Sequence, residues 1–291
     1  MGILTKLREE FYFVQGNYLV LVISWVLMDF ANEMPSLYYG PFVIYDLGAT
    51  TAILGFIGFV SVMALAAVQF PGGYLADRYG RKWLISTLTF GVAFSFLFYI
   101  FAPSWEWILV GAIITNLCLL YQPALMAMIS DSTPPEKRGM AFSLTTLIGN
   151  VATTPAPLVA GIIVSVFTRA IGMRIAYAIV FSLYLSAAIL RSKLKETIQT
   201  AEKIKPKDLL ASYPQAIRES IAVWKTVPRS VFFLFIANLI ITFALSMGQL
   251  FFSVYAVEGE KSVLNISQID WAVVSSALFI AMIICAIPIG K

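Results

Sequence analysis

Histidine is absent from this chain of 291 residues, and charged side chains of every kind are scarce. Without histidine, carboxylates are the obvious groups to carry a proton near neutral pH, since histidine is the side chain that ordinarily titrates there. Charged residues make up 12% of the sequence against roughly 25% in soluble domains, and the mean hydropathy is +0.84. This composition excludes an ordinary soluble protein and predicts an integral membrane protein.

Cysteine is also scarce. Cys118 and Cys285 lie inside apolar runs, where a thiol acts as a small hydrophobe, so they indicate no disulfide framework. The sequence has no recognisable metal-ligand cluster, phosphate-binding glycine loop or nucleophile–base arrangement, so no cofactor, metal site or enzyme activity is predicted. The net charge of +4 comes from basic residues between apolar runs, which favours a lipid bilayer over nucleic acid as the partner.

Long apolar runs are what the chain has in place of charge. A helix needs about 20 mostly apolar residues to cross a bilayer, and we number the runs of about that length as spans 1 to 8. They cover residues 18–38, 51–75, 83–101, 107–129, 140–167, 174–190, 231–257 and 271–289. Because the runs are continuous rather than alternating, they predict an all-α membrane bundle instead of a β-barrel. Span 1 lacks a clear cleavage site, so we expect a membrane helix there rather than a signal peptide.

The basic residues are divided unequally between the two sides of this bundle. Arg169, Arg174 and Lys261 fall on one side, and the other 17 of the 20 Lys and Arg residues fall on the side of the termini. The positive-inside rule therefore predicts a multi-pass protein of the cell membrane with both termini in the cytoplasm.

One hydrophilic stretch divides the chain. Residues 191–230 are predicted to be a cytoplasmic basic linker between six spans in 1–190 and two in 231–291. Within the linker, apolar and basic residues are interleaved, namely Leu209, Leu210, Ile217, Ile221 and Trp224 with Lys207, Arg218 and Lys225. This pattern suits an amphipathic helix on the membrane surface, and a solvated linker is the alternative. A Pro-x-Gly at the ends of spans 2 and 8 indicates internal duplication, with a complete six-helix half followed by the opening of a second.

The connection between spans 2 and 3 carries the most informative motif. Its distinctive residues are Gly73, Asp77, Arg78, Gly80, Arg81 and Lys82. Gly73 permits close helix approach, Asp77 can accept hydrogen bonds at an open helix N-terminus, and Arg81 offers a planar fork to a carboxylate. Together they predict a conformational latch, and the alternative is that they are charges that only fix topology.

This motif resembles the helix 2–3 loop of the major facilitator superfamily at every position. The resemblance extends to Asp131 at the end of span 4 and to residues 135–139, which include Glu136 and Arg138. It implies a bundle of that family and a secondary transporter that moves a small solute by alternating access. It also implies that Arg81 faces Asp131 and that Asp77 faces a helix of the second half.

The resemblance covers the whole chain but only about two thirds of the family's twelve helices. It therefore predicts a C-terminally truncated transporter whose missing helices come from a longer reading frame or from a partner chain. The competing interpretation is a non-transporting remnant, or a half-subunit of a membrane complex.

Two family patterns are incomplete. Related proton antiporters often carry an arginine within span 4, whereas span 4 here offers only the amides Asn116 and Gln122, so an arginine-coupled mechanism is not expected. In span 5 the antiporter pattern is reduced to Ala156-Pro157 and Ala160-Gly161. Pro157 can still kink the helix, so antiport stays open beside uniport and symport.

Asp29 and Glu33 are the candidates for proton coupling. They lie four residues apart on one face of span 1, near mid-membrane, where an ionised carboxylate costs about 2.5–3.5 kcal/mol. Two nearby carboxylates resist simultaneous ionisation, so the pair can hold a proton near neutral pH. The alternative is structural, with Glu33 reaching outward and Asp29 bonded across helices. Weaker candidates for a substrate cavity are Asn116, Gln122, Thr146, Asn150, Asn238 and Gln249.

Overall fold

The computed structural model describes residues 10–198, 214–215, 217–218, 222, 227–257 and 263–289. Its main helices are α1 (Gly16–Ser36), α2 (Thr51–Tyr79), α3 (Arg81–Ile100), α4 (Trp105–Cys118), α5 (Gln122–Asp131), α6 (Arg138–Thr153), α7 (Ala156–Phe167), α8 (Arg169–Ser192), α9 (Arg229–Ala256) and α10 (Gln268–Ile289). Short helical turns cover Tyr39–Pro41, Phe42–Asp46, Leu119–Tyr121 and Pro135–Lys137. Apart from one isolated bridge between Val257 and Ile266, these ranges contain no β-structure, and the all-α fold is confirmed.

Six helical stretches among the described residues are long and apolar enough to cross a membrane. They are α1, α2, α3, the α4–α5 pair, the α6–α7 pair with its preceding turn, and α8, which correspond to spans 1 to 6. Spans 7 and 8 are present as α9, with 28 residues, and α10, with 22. At about 1.5 Å per residue, both exceed the thickness of a bilayer core.

Spans 4 and 5 are interrupted rather than straight. Span 4 changes to a 3-10 turn at Leu119–Tyr121 before resuming just ahead of Pro123. Span 5 breaks at Thr154 and Pro155. The sequence suggested a kink at Pro157 instead. Pro155 lies where the helix would need a continuous hydrogen-bond ladder, whereas Pro157 lies in the first turn of α7, where a missing N–H is tolerated.

The core of the bundle is aromatic. α8 packs along α3 and α1, and α2 packs against α4. Phe96, Tyr99, Tyr177 and Tyr184 lie between α3 and α8, with ring centroids 4.9 to 6.3 Å apart. Large apolar side chains such as Val166, 68% exposed, lie on the outside, as expected of helices that face lipid.

The bundle has two distinct ends. We call the end with the α2–α3 turn, the α5–α6 connection and the last turn of α8 the basic end, and the opposite one the far end. At the far end, the Arg169 Nε donates to the Asp46 Oδ2 at 2.6 Å, and the Tyr38 hydroxyl donates to the Gln268 carbonyl at 2.6 Å. The second contact ties the end of span 1 to the start of α10.

The predicted linker lies mostly outside the described residues, including Leu209, Leu210, Ile221 and Trp224 of the amphipathic pattern. The division into 1–190, 191–230 and 231–291 therefore stays a prediction. The assignment of one residue to the linker is wrong. Arg191, counted among the linker charges, is part of α8 and is only 1% exposed.

Candidate functional site

The α2–α3 turn is organised around Gly80. This single residue separates the two helices, with a φ of 96° and a ψ of 138° that only glycine adopts readily. The reversal brings Asp77 and Arg81 together, and the Arg81 Nη2 donates to the Asp77 Oδ1 at 3.2 Å. The Arg81 Nη1 donates to the Asp131 Oδ2. Arg81 therefore joins α2 and α5 to the start of α3, and its role as a latch stays a prediction.

The N-terminus of α3 is capped by a residue that the sequence analysis did not single out. The backbone N–H of Arg81 donates to the Glu196 Oε1 at 3.1 Å, and that of Lys82 donates to the Glu196 Oε2 at 3.0 Å. Asp77 does not cap this N-terminus, because its carboxylate contacts the Arg81 side chain. Its expected contact with a helix of the second half stays a prediction. Glu196 lies 115 residues from Arg81 along the chain, so no local pattern could reveal the contact.

Residues 193–198, which we call the strap, hold this carboxylate in place. The Asn17 Nδ2 donates to the Lys195 carbonyl at 2.8 Å, and the Lys195 N–H donates to the Asn17 Oδ1 at 2.8 Å. Leu194 is buried in the core between these contacts. The first residues after α8 are thus bonded to α1 and α3.

The remaining residues of the predicted latch lie around this cluster. The Arg78 Nη1 donates to the Tyr74 hydroxyl at 3.1 Å, the Arg138 Nε donates to the Ser130 carbonyl at 3.1 Å, and Glu136 is exposed. The close approach predicted for Gly73 occurs at Gly72. A Cβ at Gly73 would meet the Pro123 Cβ at 3.8 Å, an ordinary contact, whereas one at Gly72 would collide with the Leu120 carbonyl.

A cavity of about 530 Å³ lies inside the bundle. Its polar wall is formed by Asp29 and Asn32 from α1, Gln69 from α2, Gln122 from α5, and Tyr184 and Arg191 from α8. Its apolar wall is formed by Trp25, Met28, Leu119, Leu125 and Met126. The Gln69 Nε2 donates to the Gln122 Oε1 at 2.5 Å, and the Tyr184 hydroxyl donates to the Asn32 Oδ1 at 2.6 Å.

Asp29 reaches this cavity beside α6. The residue opposite it is Gly149, where a Cβ would lie 2.6 Å from the Asp29 Oδ2. Glu33 does not line the cavity, and its Oε1 accepts a hydrogen bond from the Ser36 hydroxyl at 3.0 Å. The structure therefore gives the two carboxylates different surroundings, although one helical turn separates them.

Most of the polar candidates for the cavity lie elsewhere. Gln122 lines it, but the Asn116 Nδ2 donates to the Ala112 carbonyl of its own helix at 2.8 Å. The Thr146 hydroxyl likewise donates to its own helix, and Thr146, Asn150 and Asn238 are all exposed. The side chain of Gln249 lies outside the described part of the structure.

Arg191 is the charged cavity residue that the sequence did not reveal, and Asn32, Gln69 and Tyr184 are further polar residues of the wall that were not predicted. The Arg191 Nε donates to the Ser24 hydroxyl at 3.0 Å, its Nη1 donates to the Thr89 hydroxyl at 3.0 Å, and its Cζ lies 5.2 Å from the centre of the Tyr121 ring. Side chains on a helix point back toward its N-terminus, which for α8 is the far end. The guanidinium at the last turn of α8 is therefore directed into the bundle. That directional rule was the available signal.

Comparisons with known proteins agree with this architecture. The model of the Major Facilitator Superfamily matches residues 21–291. The chain is 32% identical over 112 residues to a Na(+), Li(+), K(+)/H(+) antiporter of Planococcus maritimus, covering 36% of this chain and 26% of the antiporter. It is 29% identical over 185 residues to the multi-drug resistance efflux pump PmrA of Streptococcus pneumoniae, covering 60% of this chain and 45% of the pump.

Among solved structures, a peptide transporter POT in complex with sulfate matches with a TM-score of 0.59 at 16% identity, covering 91% of this chain and 66% of that one. A structure from work on proton dependent oligopeptide transporters matches with a TM-score of 0.55 at 17% identity, covering 79% and 53%. At these identities the likeness shows the fold alone. The chain spans less than half the length of the two curated relatives. With nearly its full length matched by the family model, the chain belongs to the Major Facilitator Superfamily.

Proposed function

We propose that this chain forms part of a secondary active transporter that moves a small solute by alternating access and couples the movement to protons through Asp29. Membership of a transporter family supports membrane transport. The position of the Asp29 carboxylate, which points into the bundle, supports the more specific proposal of proton coupling. Asp29 is the acidic side chain in the cavity wall, and it faces the space that a solute would occupy.

Coupling requires that one group contact both the proton and the solute pathway. Asp29 meets that requirement by position, since it lies in the wall of a cavity of about 530 Å³ and next to the glycine of a neighbouring helix. Glu33 has a local hydrogen-bond donor in Ser36 and lies outside the cavity wall, so we assign it a secondary role. The printed name of one curated relative, an antiporter that exchanges cations for protons, supports proton coupling in general.

An arginine takes part in this site after all. Span 4 has no basic residue, yet Arg191 from α8 lies over the Tyr121 ring at the break in span 4. We therefore include Arg191 in the mechanism as a basic group in the same cavity as Asp29. From the distribution of Lys and Arg, we also propose that the basic end lies on the cytoplasmic side of the cell membrane.

The proton-coupling role is tested in membrane vesicles from cells that produce the protein, so that the chain is present with the helices that complete its bundle. With an imposed proton gradient and a panel of labelled small solutes, wild-type vesicles should accumulate at least one solute above equilibrium. Asp29→Asn should reduce that accumulation to equilibrium while leaving downhill exchange, because the amide keeps the shape but cannot release a proton. Glu33→Gln is the matched control and should have a milder effect. Unchanged accumulation in Asp29→Asn would contradict the assignment.

A further inference from the structure

Arg191 is a buried cation whose hydrogen-bond partners carry no charge. Its side chain is 1% exposed, and its two direct acceptors are the hydroxyls of Ser24 and Thr89. Within the described ranges, no carboxylate forms an ion pair with it. Burial of a charge is costly unless a counter-ion is close. The guanidinium has five N–H donors, so two hydroxyl contacts do not saturate it.

Asp29 is the carboxylate that lines the same cavity as Arg191. The titratable and charged groups that face Asp29 can be named for each packed element. Helix α1 contributes Glu33, and α8 contributes Tyr184 and Arg191. Tyr121, at the break in span 4, lies in the same cavity wall. Helix α6 contributes Gly149 at this level, and its charged residue, Arg138, lies at the basic end. Helix α7 has no charged residue, and the charged residue of α5, Asp131, also lies at the basic end. The cavity wall therefore contains one acidic side chain, Asp29, and one basic side chain, Arg191.

We infer that Arg191 binds the carboxylate group of the transported solute, and that the solute anion and the proton on Asp29 bind together. An ionised Asp29 and an anionic solute would share one guanidinium and repel each other. Protonation of Asp29 removes that repulsion and leaves the cation free for the solute. This inference rests on the proposed function and deepens it, because it names the substrate class.

The rest of the cavity narrows that class further. Trp25, Met28 and Leu119 give an apolar surface beside the two charges, and the volume of about 530 Å³ exceeds that of a simple inorganic anion. An amphiphilic monocarboxylate fits this wall, with its acid group at Arg191 and its hydrocarbon part at Trp25. Binding of the anion and a proton together predicts symport for such a solute.

The test compares an acid with its neutral amide in the purified, detergent-solubilised full chain. Calorimetric titration with benzoate should detect binding, whereas benzamide of the same shape should bind about 10- to 100-fold more weakly, as expected when a charged hydrogen bond is lost. Benzoate should bind about tenfold more tightly at about pH 6 than at about pH 8. Because benzoate is ionised at both pH values, the difference reports on the protein and not on the probe. Equal binding of the two probes would overturn the inference, and so would the absence of benzoate binding.

Variants assign the effects to residues. Arg191→Lys should keep part of the affinity, and Arg191→Gln should lose about tenfold or more. The control Arg218→Gln, at an exposed position outside the cavity and the latch, should bind as the wild type does. Asp29→Asn should bind benzoate equally well at both pH values. A retained pH dependence in Asp29→Asn would overturn the linkage to Asp29. Because these measurements are made at equilibrium, they can succeed or fail independently of proton-driven accumulation in vesicles.

Discussion

The contact between Asp29 and Gly149 is the tightest constraint on a single residue of the cavity. Replacing Gly149 by alanine puts a methyl group 2.6 Å from the Asp29 Oδ2, so the carboxylate or α6 must move. We expect Gly149→Ala to lower the free energy of unfolding by about 1–3 kcal/mol, the usual cost of overpacking. Thermal unfolding in detergent measures this change.

Gly139 is the matched control on the same helix, because a Cβ there has no atom within 4 Å. Gly139→Ala should leave the stability unchanged or raise it by up to about 1 kcal/mol, since alanine favours a helix over glycine. Equal unfolding temperatures for the two variants would mean that the Asp29 contact is not sterically constrained.

Of the two charged residues in the cavity wall, Asp29 could be predicted from the sequence and Arg191 could not. Asp29 was recognisable because a carboxylate amid apolar residues is costly, and it does line the cavity. Arg191 was not, because charges near the end of an apolar run were assigned to the adjacent connection. Only its direction relative to the helix axis, together with the hydroxyls of Ser24 and Thr89, explains where its guanidinium lies.

At the scale of elements, the strap determines how α3 begins. The Glu196 carboxylate accepts from the N–H groups of Arg81 and Lys82, and negative charge is favourable at a helix N-terminus. We expect Glu196→Gln to lower the free energy of unfolding by about 0.5–2 kcal/mol, the usual range for a lost cap. Hydrogen exchange should become faster in peptides that cover the first turn of α3. The exposed Glu136 provides the control, and Glu136→Gln should leave hydrogen exchange in the first turn of α3 unchanged. Equally fast exchange of that turn in Glu136→Gln and Glu196→Gln would refute the capping role.

Helices and connections were not equally predictable. Spans 1 to 6 follow from apolar length alone, and the structure has helices at all of them. The breaks in spans 4 and 5 depend on which proline falls in a helix interior. The incomplete motif in span 5 pointed to Pro157, whereas the break lies at Pro155. The strap depends on contacts between residues more than 100 positions apart, such as Asn17 and Lys195, which no local pattern contains.

At the scale of the whole molecule, the basic end and the far end are chemically different, and we assign them to the two sides of the membrane. In a variant lacking Cys118 and Cys285, a membrane-impermeant maleimide should label Ala52→Cys at the far end on intact cells. It should label Glu136→Cys at the basic end only after the membrane is permeabilised. Both positions are exposed, so access and not burial decides the result. Labelling in the reverse order would invert the orientation.

The strap also separates the cavity mechanically from the second part of the chain. Any pull transmitted from α9 along the connection reaches Glu196 and Lys195 before it reaches Arg191. The hydrogen bonds to α3 and α1 and the buried Leu194 side chain must all yield before the last turn of α8 unwinds. We therefore expect the strap to keep the last turn of α8, and with it the Arg191 guanidinium, in place when the two parts of the molecule move.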